Sequence, residues 1–125
     1  MNNALSKKIL VLGIDGMDPR FSSKLLEEGE MPNLRKLVQC GAKRNDLAML
    51  GAHPTITPPM WTTLSTGAYP STHGITCFNR QSKDYLDGIE YNFNSADSLA
   101  EPLWNVLAES GKKTLVWHWP GASWP

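Results

Sequence analysis

The run Ile9-Leu10-Val11-Leu12-Gly13-Ile14 restricts the possible folds of this chain more than any other stretch: it is continuously apolar, partly β-branched, and ends at Asp15. A strand with one wet face alternates apolar and polar residues, so an unbroken run predicts a strand covered on both faces, inside a parallel sheet. Asp15 then stands at the carboxyl end of that strand, where open α/β sheets gather their ligands.

The segments that follow fit the same plan. Asp18-Pro19 supplies an N-cap and a first-turn proline for a helix with Phe21, Leu25 and Leu26 facing inward, and Gly29 is its natural stop. A second helix begins near Pro32, buries Leu34, Leu37 and Val38, and stops at Gly41. Residues 46–50 are expected to form a strand. Thr57-Pro58 opens a third helix, with Thr57 as N-cap, running to about Thr66 before Gly67. Residues 78–97 are polar and turn-rich, and no regular structure is expected there. A further helix from about Pro102 to Ser110 carries Leu103, Val106 and Leu107 on one face, with Ser98-x-x-Glu101 as a capping box and Gly111 closing it. Residues 113–118 read as another strand. Strands alternating with helices predict an α/β layered fold built on a mainly parallel sheet.

Charge narrows the function. Twelve basic side chains balance twelve acidic ones, and no cationic run exceeds short pairs such as Lys112-Lys113, so neither a nucleic acid polymer nor an anionic membrane is an expected partner. Cys40 and Cys77 form no CxxC pair, which points to buried thiols rather than a zinc knuckle or a disulfide framework. The apolar run at residues 9–12 is too short for the core of a signal peptide, and the expected location is cytoplasmic. No membrane segment is legible, and oligomeric state leaves no trace in the sequence.

The segment "HPTITPPMWTTLSTGAYPSTHGI", residues 53–75, concentrates hydroxyl side chains around the third helix. Taken alone, a threonine before a proline is an ordinary helix cap. A helix N-terminus also offers backbone N–H groups and the positive end of a dipole, both favourable to a phosphate or sulfate group. A threonine hydroxyl is a weak nucleophile at neutral pH, and would need a metal ion to draw off its proton and a carboxylate to help hold that metal. Asp15 is the obvious carboxylate. Thr55 is the competing hydroxyl, ranked second because it precedes the helix.

The succession of "VLGIDGM", "MPNLRKL" with "CGA", "PTITPPMWTTLSTGAYPSTHGI" and "GKKTLVWHWPG" closely resembles the type I phosphodiesterase and nucleotide pyrophosphatase group of the alkaline phosphatase superfamily. The resemblance covers nearly the whole chain. It implies a three-layer α/β fold with a mainly parallel central sheet, of which residues 1–125 would be the N-terminal part of one catalytic domain. It makes Thr57 the nucleophile, transiently phosphorylated or nucleotidylated, and a ligand of one metal, with Asp15 as a carboxylate ligand of the same ion. It implies two divalent ions, usually zinc, and a small phosphate ester as substrate. Related enzymes often place an asparagine shortly after "HGI" to bind the phosphoryl oxygen; the aligned position here is Phe78, and Asn79, one residue later, is the candidate for that contact. The remaining metal ligands would lie beyond residue 125.

Other residues read more plainly. The resemblance makes His73 structural, tying a loop through its ring nitrogens, and His53 and His118 are lone histidines without partners at ligand spacing. Trp61 and Leu64 are packing residues, Trp61 having a further place at the edge of a pocket. The "WPG" at residues 119–121 is a turn or a strand-end loop beside the site. Asp84, Asp87, Glu90 and Asp97 belong to a solvated loop. A sulfatase would need Cys or Ser in a C/S-x-P-x-R pattern, which neither cysteine has. If the chain is complete at residue 125, the alternative is a non-catalytic α/β anion-binding or interaction module.

Overall fold

A computed structural model describes residues 8–44 and 53–122. The chain divides into two compact units, Met1–Met49 and Leu50–Pro125.

In the first unit, α1 (Pro19–Glu28) begins as its sequence dictates: Asp18 caps it, Oδ1 accepting the Phe21 N–H at 2.7 Å, and Pro19 occupies the first turn. Gly29 ends it in the left-handed conformation at φ 82°, where a side chain would be strained. Helix α2 (Pro32–Cys40) follows and packs against α1. Leu26 is buried and Leu25, Leu34 and Val38 are half-buried, but Phe21 and Leu37 are exposed, contrary to the inward face assigned to them. Cys40, and Cys77 in the second unit, are likewise exposed rather than buried.

The expected parallel strands are not what the described residues form. Residues 8–14 are irregular, with Ile9 76% and Leu10 89% exposed, and residues 113–118 are irregular as well, with Trp117 77% exposed. A strand exists only where a neighbour accepts and donates its ladder hydrogen bonds, and neither run has a ladder among the described residues. The third expected strand, residues 46–50, lies outside the described residues.

The second unit is a mixed α/β arrangement. Helix α3 (Thr57–Thr66) packs against the short α4 (Pro70–His73) and against α5 (Leu103–Glu109). The polar segment for which no structure was expected folds into a hairpin: β1 (Asn79–Gln81) pairs antiparallel with β2 (Ile89–Tyr91), setting Arg80 opposite Glu90. Trp61, Ile75 and Phe93 form the core, with Trp119 packed edge-on to Trp61 at 5.0 Å between ring centres. Helix α5 starts one residue later than expected, after Pro102, and no side chain caps it. The Ser98 hydroxyl donates instead to the Ala100 carbonyl at 2.9 Å, so the expected capping box does not form. Among the described residues, no helix is long and apolar enough to cross a membrane.

Candidate active site

Thr57 is the first residue of α3 rather than its cap. The Met60 N–H reaches the Ile56 carbonyl at 3.2 Å, closing the first turn one residue earlier, so extended Ile56 becomes the cap and contributes no side-chain bond. The prolines explain the shift. A capping Thr57 would have to bond the N–H of Pro59, which has none, or of Met60, whose N–H is already taken.

The same prolines alter the electrostatics. With no N–H on Pro58 or Pro59 and Met60 engaged, α3 offers an anion its dipole, but not the usual cluster of first-turn donors. Thr57 is half-buried, while Thr55 is exposed.

Asp15 is exposed and forms a turn with Gly16, whose φ is 64°. It belongs to the first unit and Thr57 to the second. Asn79 is exposed at the start of β1, opposite Tyr91. Strand alternation turns its side chain to the face opposite Arg80. The Phe78 carbonyl extends the ladder by accepting the Asn92 N–H at 2.7 Å, and the Phe78 ring packs edge-on to Phe93 at 5.8 Å between centres.

A carboxylate and a hydroxyl are oxygen donors suited in kind to a hard divalent cation. In number they fall short of the four ligands a zinc site needs, and among the described residues no three His, Cys, Asp or Glu side chains gather closely enough to hold a metal ion.

The polar network around the hairpin was not legible as such in the sequence. Arg80 pairs with Glu90 at 3.4 Å, donates to Asn92 Oδ1 at 3.2 Å, and meets Asp97 Oδ1 at 2.8 Å. The Ser82 hydroxyl donates to Glu90 Oε1 at 2.6 Å; together with Arg80 it holds the Glu90 carboxyl below its usual range. Glu90 and Asp97 are thus fixed partners of one guanidinium rather than solvated loop charges. A small pocket in this unit is lined by Thr62, Ser65, Thr66, Trp104, Trp119 and Gly121 among others. Trp61 lies in the core instead of at its edge. The Trp119 indole nitrogen is buried without a hydrogen-bond partner among the described residues.

His73 ties its loop as expected. Its ring is fully buried, Nδ1 accepts the Ile75 N–H at 3.1 Å, and Nε2 lies 3.1 Å from Thr63 Oγ1. Burial lowers its pKa, against an opposing hydrogen bond to the Pro59 carbonyl.

These features define an α/β chain with a threonine at the head of a proline-locked helix, whose Thr63 meets a buried histidine. The chain belongs to the type I phosphodiesterase / nucleotide pyrophosphatase family, whose model matches residues 9–125. It is 29% identical over 124 residues to venom phosphodiesterase 2 of Crotalus adamanteus, an alignment covering 91% of this chain and 14% of that protein. It is 33% identical over 121 residues to ectonucleotide pyrophosphatase/phosphodiesterase family member 3 of Mus musculus, covering 91% and 13%. The venom phosphodiesterase of Naja atra is 28% identical over 120 residues, covering 91% and 14%. The chain therefore spans about one seventh of the length of these relatives. No solved structure matches it.

Proposed function

We propose that the protein hydrolyses phosphodiester or pyrophosphate bonds of small phosphate esters, with Thr57 as the nucleophile. The observation that carries this reading is family membership over residues 9–125, with relatives named as phosphodiesterases and nucleotide pyrophosphatases. The position of Thr57 supports it: a half-buried hydroxyl at the positive end of α3 meets an anionic phosphoryl group favourably.

In the proposed reaction, Thr57 Oγ bonds to phosphorus as its proton leaves, the bond from phosphorus to the departing alkoxide or phosphate breaks, and a phosphothreonine ester results. Water then attacks that phosphorus, the Thr57 Oγ–P bond breaks, and the hydroxyl recovers a proton. Asp15 and Thr57 are the proposed ligands, within this chain, of one of two divalent ions, zinc by family resemblance. Such ions, when bound, supply acidification of a hydroxyl and neutralisation of phosphoryl charge. Asn79 is the proposed polar contact to substrate. Residues 1–125 contribute to a single catalytic domain of three-layer alkaline-phosphatase type in this reading.

The test is turnover by the complete natural chain of bis(p-nitrophenyl) phosphate and of a p-nitrophenyl nucleotide ester, with zinc supplied. Cleavage is expected, and Thr57→Ala should lower kcat on the order of 10³-fold or more. Acid quenching should leave a phosphorylated or nucleotidylated peptide containing Thr57. A folded, metal-loaded wild type that cleaves neither ester would instead favour a non-catalytic anion-binding module.

A further inference from the structure

Thr57 owes its position to contacts made elsewhere on α3. The ring of His73 is 0% exposed and bridges two segments: Nδ1 accepts the Ile75 N–H, while Nε2 lies 3.1 Å from Thr63 Oγ1 on α3. A nitrogen that accepts an N–H carries no proton of its own, so in the neutral ring the proton sits on Nε2 and is directed at α3. Thr63 lies on the same helix as Thr57, whose first turn holds Pro58 and Pro59.

That turn is stiff. Pro58 and Pro59 each lock φ, and both are among the most deeply buried side chains. A shift of α3 at Thr63 is therefore passed along the helix to Thr57 rather than absorbed in its first turn. The histidine is itself held: its carbonyl accepts the Leu99 N–H at 2.9 Å, and the next residue, Gly74, turns at φ 80° with the Leu99 side chain packed against it.

We infer that His73 is the positioning residue for Thr57: the Nε2–H side of its ring braces α3, and through that helix the nucleophilic oxygen, without touching the reacting groups. The inference rests on the proposed function, since it assigns Thr57 a role that needs accurate placement.

Two amide substitutions separate the two sides of the ring. The amide nitrogen of Gln reaches about where Nε2 lies and can still donate to α3, whereas the amide oxygen of Asn stands near Nδ1 and serves only the Ile75 N–H. In the complete natural chain, His73→Asn should lower kcat on the order of 10²-fold with KM close to wild type, because a displacement of about 1 Å is enough for such a loss. His73→Gln should lose far less. A merely structural loop tie gives the reverse order or equal losses, and either result overturns the inference.

Should both variants fail to fold, Thr63→Val removes one partner while keeping the branched shape, and an unchanged kcat overturns the inference. If the wild type cleaves no ester, it is the functional reading that fails. Placement of α3 is then read from amide hydrogen exchange at Met60 and Trp61, which should be faster in His73→Asn than in His73→Gln. Equal exchange would refute it.

Discussion

Gly121 lies so close to the Phe93 ring that a methyl group on it would come within 2.3 Å of Cε2, and its φ of 77° is one that side chains rarely adopt. Gly121→Ala should therefore lower unfolding stability by about 2–4 kcal/mol, from overpacking and backbone strain together. Adding Phe93→Leu should relieve only the contact, so urea unfolding should show partial recovery. Full recovery would mean the backbone at Gly121 is unstrained.

Arg80 answers three acceptors on two segments, Glu90 and Asn92 around β2 and Asp97 beyond it. A lysine has a single ammonium and cannot span that fork. Arg80→Lys and Arg80→Met should both destabilise by about 1–3 kcal/mol, with little rescue by lysine. Thermal melts of the two variants decide the matter: a lysine variant as stable as wild type would show that charge alone suffices.

The pKa of His73 is lowered on folding, chiefly by burial. The unfolded chain therefore takes up a proton more readily than the folded one, with 6.5 as the ordinary imidazole value. The sign follows directly. Stability from this residue is complete above pH 6.5 and is lost as pH falls from there through the folded pKa. Urea midpoints measured from pH 8 to pH 5 should drop more steeply for wild type than for His73→Gln. Parallel curves would rule out His73 as the source.

Trp61 is buried between Ile75 and Phe93 and carries the edge contact to Trp119. Trp61→Ala should cost about 3–5 kcal/mol, and Trp61→Phe clearly less, because most of the apolar volume is kept. Both variants remove the Trp61 indole, so the near-ultraviolet circular dichroism of the remaining tryptophans is the readout: it should weaken more in the alanine variant, where Trp119 loses its packing partner, than in the phenylalanine one.

Thr57→Ser should keep measurable ester cleavage where Thr57→Ala keeps almost none, because serine supplies the same oxygen on a freer rotor. Equal inactivity of the two would place the requirement on the threonine methyl rather than the hydroxyl.

Helix ends were the most legible part of the fold. Asp18-Pro19 and Gly29 bracket α1 as expected, since capping bonds join residues three or four apart. Even here Pro58-Pro59 shifted the start of α3 by one residue, because the donors a capping threonine needs were missing or engaged. The hairpin at Asn79–Gln81 and Ile89–Tyr91 was not legible: the three residues of β1 are all polar, β2 is only three residues long, and Arg80 meets Glu90, Asn92 and Asp97 only once the strands have paired. Of the candidate site, Thr57 and Asp15 were named from sequence, whereas the hold of His73 on α3 spans residues too far apart for any local pattern to show.

Sequence by itself determined the family, the helix boundaries set by Asp18, Gly29, Gly41 and Gly67, and the identity of the hydroxyl at the head of α3. These depend on residue type and on bonds within a single turn. Tertiary structure decided which apolar residues are buried, leaving Phe21, Leu37 and the run at residues 9–12 exposed while burying Trp61, Ile75 and Phe93. It also decided that polar residues 79–91 make a hairpin and that His73 braces the helix of Thr57. Burial and strand pairing are properties of two segments meeting, and no single segment carries the free energy that settles them.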